Sequence, residues 1–120
     1  MLYEHRSTVI HSLVTLQPNV IGLETRSSVL PVVPMFHANS WGIVYSAPIA
    51  GAKLVLPGAK MDGASIYELL DSENVDISAG VPTVWLMLLQ YCEKEKKILS
   101  KMNKTLIGGS AVPRSMIEAF

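Results

Sequence analysis

The stretch SVLPVVPMF, residues 28–36, runs directly into HANSWG, residues 37–42. Its β-branched and apolar side chains read as a strand buried on both faces. Pro31 and Pro34 argue against a regular central strand, because proline removes a ladder donor. Where the apolar run ends, His37 and Trp41 come within one turn. A ring that can change charge and the largest apolar side chain thus stand together where a strand gives out.

The same texture recurs along the chain. AKLVLP (52–57) is a short apolar strand closed by Pro57 and Gly58, VDISAGVP (75–82) is another, and KTLIGG (104–109) is strand into turn. Helical signals lie between them. Asp62 is placed to cap a helix carrying Ile66, Leu69 and Leu70. Val81, Val84, Trp85, Leu88, Leu89 and Cys92 fall at spacings of three and four, the clearest apolar stripe in the chain. Pro113 sits in the first turn of a helix in PRSMIEAF (113–120). NSWGIVYSAPIAG (39–51) is long enough for a helix ending near Gly51. Near the start, Val9, Ile10, Leu13, Val14 and Leu16 form one apolar helical face, and Pro18 and Gly22 break up the segment after it.

Strand and helix therefore alternate four times, and the strands lack strict in–out alternation. The expected fold is α/β: a doubly wound, mainly parallel sheet with helices on both faces. In such sheets ligands collect at the carboxyl ends of the strands. Two turns occupy that position, FHANSW (36–41) and GGSAVP (108–113).

Composition narrows the classes. With 120 residues, 49% of them hydrophobic and 17% charged, the chain has material for a core and fits one domain or part of one. Ten basic and ten acidic side chains cancel, so no electrostatic footprint points to nucleic acid or an anionic membrane. The single Cys92 rules out an internal disulfide and fits a reducing compartment. No apolar segment approaches the ~20 residues of a membrane span. The first ten residues lack a signal-peptide layout, so an intracellular, cytoplasmic location is expected. Met1 mildly favours a genuine start, although an internal methionine taken for a start would look the same.

Each candidate group has a structural and a functional reading. His37 is a hydrogen-bonded structural residue or a donor to a carboxylate or phosphate, helped by free N–H groups of a helix start beside it. Trp41 is core, or the wall of a pocket for an alkyl chain or purine. Gly108 and Gly109 make an ordinary turn or allow close backbone approach to a ligand. There is no dinucleotide fingerprint, phosphate loop, nucleophile elbow or zinc motif. His5, His11 and Cys92 lack metal-ligand spacing. Cys92 reads as a buried helix residue, and EKEKK (93–97) as a solvated face.

Taken together, VLPVVPMFHANSWG (29–42), GAKLVLPG (51–58), SAGVPTVWLMLL (78–89) and IGGSAVPRSMI (107–117) resemble the adenylate-forming acyl-CoA synthetases, especially the bacterial medium- and long-chain fatty-acyl-CoA ligases. YEHRST (3–8) is similar to the segment directly after the family's phosphate-binding loop, so the likeness covers essentially the whole chain. The resemblance implies a two-step ligase that joins a fatty acid to the α-phosphate of ATP and then to coenzyme A. It implies that residues 1–120 are the central part of an AMP-binding N-terminal domain. It places His37, Ala38 and Trp41 beside the acyl-adenylate, and Gly109, Ser110 and Ala111 along the adenine and acyl carbonyl. The phosphate loop, the Mg2+-holding glutamate and the catalytic lysine would lie outside this chain, leaving it inactive alone. Homodimerisation of the complete enzyme is a further implication. A non-catalytic acyl- or nucleotide-binding module, and a degenerate or purely structural chain, are the competing expectations.

Overall fold

In the computed structural model, which describes residues 2–120, Ser28–Val32 form strand β1, and all five residues are buried. Met1, and with it any reading of that residue as a start, lies outside the described residues. Lys53–Leu54 form β2, Ile77–Gly80 form β3 and Lys104–Ile107 form β4. The four strands make one sheet in the order β2-β1-β3-β4, every pair parallel. Helices α1 (His5–Thr15), α2 (Ala38–Trp41), α3 (Ile43–Ala50), α4 (Gly63–Ser72), α5 (Pro82–Glu95) and α6 (Arg114–Ala119) complete the chain. The doubly wound parallel α/β expectation holds.

Pro31 stands in an interior strand, against the expectation that prolines would keep 28–36 out of the centre. The ladder explains why. The carbonyls of Ser27 and Val29 accept from Lys53 and Val55 of the β2 segment, whereas that of Ser28 accepts from Asp76 on the β3 side. Alternate residues of a parallel strand face alternate neighbours. Pro31 therefore faces the β2 side, at the rung after the last β2 hydrogen bond, and removes no donor from the β3 ladder. Pro34 lies past the end of the strand.

Two cores sandwich the sheet. Leu30 and Val32 of β1 meet Ile66, Leu70, Val84, Trp85 and Leu88 from α4 and α5 on one face. Val29 of β1, with Ile77 and Ala79 of β3, meets Ile43 and Ala47 of α3 on the other. Burying each large side chain of this kind contributes about 1.5–3 kcal/mol. The stripe expected on α5 is the buried one: Val84, Trp85, Leu88 and Cys92 all face inwards. Asp62 caps α4 as expected, its Oδ1 accepting from the Ser65 N–H at 3.0 Å. Residues 93–97 are exposed.

Helix α1 departs from expectation. Val9, Ile10, Leu13 and Val14 are each more than 50% exposed, whereas Ser12 and Thr15 are buried. Both hydroxyls bond back along the helix, to the Thr8 and Ser12 carbonyls at 2.8 and 2.9 Å, so neither loses a partner on burial. Of the expected apolar face only Leu16 is covered, half-buried against the Ile43–Ala79 core. No helix among them is long and apolar enough to cross a membrane.

Candidate functional site at the carboxyl edge of the sheet

The 39–51 segment is not one helix. Ala38, Asn39, Ser40 and Trp41 have φ of +47°, +53°, +50° and +56°, a complete left-handed turn, succeeded by Gly42 at +75°. The right-handed helix α3 begins only at Ile43. The helix start expected at Asn39, beside His37, therefore lies four residues further on, and the anion-binding role expected of it is withdrawn. Left-handed backbone costs an L-residue roughly 1–2 kcal/mol, with asparagine the best tolerated after glycine. Strain of this kind persists where surrounding structure over-determines it, and it clusters at functional sites.

Several contacts hold the turn. The Gly42 N–H donates to the Ala38 and Asn39 carbonyls, both at 3.0 Å. Buried Ser40 donates its hydroxyl to the Val33 carbonyl at 2.6 Å, tying the turn to the end of β1. His11 of α1 reaches the Trp41 carbonyl with Nε2 at 3.0 Å. A carbonyl only accepts, so Nε2 carries the proton. The His11 ring also occupies the space where a Gly42 side chain would project. Gly42 is thus required twice, by its φ and by His11.

The turn presents Trp41 towards the other candidate loop. Its half-buried ring packs partly on the Ile43–Ala79 core. It lies over Gly108, where a Cβ would stand 3.1 Å from Cη2. Gly109, with φ +86°, abuts Val81, whose Cγ1 would be 3.2 Å from a Cβ. The loop after β4 thus meets the loop after β1 across the end of β3. Gly109, Ser110 and Ala111 are exposed, so their backbone is open to a ligand.

His37 precedes the turn in extended conformation, with φ −104° and ψ +103°. It is exposed, and its side chain makes no capping hydrogen bond. Neither His37 nor the half-buried Ala38 is locked to the β4 loop as Trp41 is. An apolar groove of about 550 Å³ borders the turn, lined by Tyr3, Ile10, His11, Val14, Ala38 and Tyr45. A second cavity of about 670 Å³ lies along the open edge of β4, between Leu89, Ile107, Val112 and Phe120, and touches no residue of the turn.

Sequence reasoning singled out Trp41 and the glycine pair but missed His11. It lies 30 residues from its partner in the chain, on a helix whose pattern drew attention to other residues. Cys92 is buried as expected, and burial pushes its thiol pKa up, away from reactivity.

A parallel α/β sheet with a strained turn and a glycine loop in contact at its carboxyl edge has these loops where open α/β sheets bind their ligands. The chain belongs to the AMP-binding enzyme family, whose model matches residues 2–120. It is 50% identical over all 120 residues to the medium-chain-fatty-acid–CoA ligase of Ectopseudomonas oleovorans. It is 48% identical over the same length to the long-chain-fatty-acid–CoA ligase of Thermus thermophilus. The chain spans 22% of the length of each of these relatives. Among solved structures, a long-chain-fatty-acid-CoA ligase from Archaeoglobus fulgidus matches 98% of this chain with a TM-score of 0.84 at 19% identity, the match covering 24% of that chain. At that identity the likeness bears on the fold alone.

Proposed function

We propose that these residues are the central part of the N-terminal domain of a fatty-acid–CoA ligase, and that the two loops border its acyl-adenylate. The contact of Trp41 with Gly108 carries this reading, because it joins the two segments that the resemblance assigns to one ligand. The identities of 50% and 48% to fatty-acid ligases support it.

A carboxylate is a poor electrophile because its charge is delocalised. In the first step its oxygen attacks the α-phosphorus of ATP and pyrophosphate leaves. In the second, the coenzyme A sulfur attacks the carbonyl carbon of the mixed anhydride and AMP leaves. The contribution of this segment is positioning and the exclusion of water. Trp41 walls the alkyl chain, and Ala38 leaves room beside it. The backbone of Gly109, Ser110 and Ala111 runs along the adenine and the acyl carbonyl. The exposed His37 imidazole donates a hydrogen bond to a carboxylate or phosphate oxygen. Mg2+ is a different matter: among the described residues no group of three or more His, Cys, Asp or Glu side chains could hold a metal ion. No step in this segment is therefore routed through it. Cytoplasmic location and pairing of complete enzymes belong to the same proposal.

The test is a chimera: the Thermus thermophilus ligase with its matching segment replaced by residues 2–120. Fatty-acid-dependent ATP–pyrophosphate exchange, lost in H37A, is the expected result. A folded chimera that binds an acyl-AMP analogue without exchange would favour a non-catalytic binding module instead.

A further inference from the structure

The carbonyl of Gly80, the last residue of β3, lies beneath the junction of the two loops. It accepts from Trp85 Nε1 at 3.1 Å and from the Gly108 N–H at 3.4 Å. A carbonyl oxygen has two lone pairs, so both donors are served. Trp85 is fully buried, and its indole is a donor only, so its N–H must find an acceptor there. Its ring fills the space a Gly80 side chain would need, since a Cβ would lie 3.1 Å from both Cε2 and Cζ2. Gly108 in turn is the floor under the Trp41 ring. The contacts form one line: Trp85 indole, Gly80 carbonyl, Gly108 amide, Trp41 ring.

We propose that Trp85 is a positioning residue for the acyl-adenylate site, fixing the Gly108–Gly109 loop through the Gly80 carbonyl and so setting the seat of Trp41. The proposal rests on the ligase reading above. Trp85 also has a packing role, with Phe120 edge-on at a centroid distance of 5.6 Å. The two roles are separable. Phenylalanine keeps much of the ring and lacks the N–H, whereas trimming the neighbouring, fully buried Leu88 damages the same core without touching the bond.

The experiment compares W85F with L88A in the chimeric ligase. Loss of one buried neutral hydrogen bond is expected to raise KM for the fatty acid about three- to tenfold in W85F, with kcat within about twofold. L88A is expected to lower Tm at least as far while leaving KM unchanged. An unchanged KM in W85F, or an equal rise in L88A, overturns the proposal. If W85F does not fold, Trp85→β-(3-benzothienyl)alanine, which keeps the ring shape and lacks the N–H, takes its place. A folded but inactive parent chimera counts against the ligase reading instead. The Trp41 indole N–H resonance of that parent then decides the positioning role: it shifts in W85F and not in L88A, and an unmoved resonance overturns it.

Discussion

The imidazole of His11 and the carbonyl of Trp41 are joined by a 3.0 Å hydrogen bond that links helix α1 to a left-handed turn 30 residues away. Removing it in H11A frees that end of the turn, while the Ser40–Val33 bond still holds the other. The expected loss is about 1 kcal/mol, the net worth of one hydrogen bond. Urea unfolding of H11A beside the parent chain measures it. An unchanged midpoint would mean that the turn is held without His11.

Gly42 carries two constraints that act together. G42A places a Cβ at φ +75° and drives it into the His11 ring. The expected cost is about 2 kcal/mol or more. The double variant G42A/H11A should recover the steric part and leave the backbone part. Additive losses in that cycle would show that the ring and the Cβ never meet.

Ala38 makes the opposite case. Its φ of +47° is strained for an L-residue, and its side chain forms none of the anchoring hydrogen bonds. A38G should therefore stabilise the chain by up to about 1 kcal/mol, relief of strain exceeding the extra freedom of the unfolded state. A lower denaturation midpoint in A38G would contradict a left-handed turn at this position.

Much of the fold was legible because its signals are local. Val84, Trp85, Leu88 and Cys92 repeat at helical spacing, and Asp62 has the side chain of a cap. The left-handed turn was not legible, since Ala38, Ser40 and Trp41 adopt it only because contacts from distant residues hold them there. The apolar face of α1 was visible as a face, but periodicity does not say which way a face points. Pro31 misled for a related reason, because the side a strand residue bonds to is fixed by its neighbours. Trp41 and the glycine pair could each be picked out singly. Their contact depends on β3 lying between β1 and β4, which is a property of the sheet order.

The Asp62 cap gives α4 a pH dependence. Its pKa is lowered from 3.8, chiefly by the backbone N–H of Ser65 and then by the Ser65 hydroxyl. A depressed folded pKa favours the native state above the unfolded pKa, and the benefit is lost as pH falls through the folded value. D62A should thus be less stable than the parent at pH 7, with the gap closing on acidification below 3.8. Thermal melts at several pH values test this, and a gap constant down to pH 2 would rule the carboxylate out as its source.

The outward face of α1 bears on behaviour in solution. Val9, Ile10, Leu13 and Val14 form an apolar strip, and such strips promote association. The 120-residue chain is expected to self-associate or aggregate, and I10K/L13K to shift it towards monomer, by sedimentation velocity. A monodisperse parent with a sharp cooperative melt would contradict this.

The most direct test of the proposed site is a crystal structure of the chimeric ligase with a dodecanoyl-sulfamoyl-adenosine, a stable mimic of the acyl-adenylate. The expected result is an alkyl chain against the Trp41 ring, with the acyl-phosphate mimic and adenine along the backbone of Gly109, Ser110 and Ala111. A ligand bound elsewhere, with the turn and the glycine loop both untouched, would contradict it.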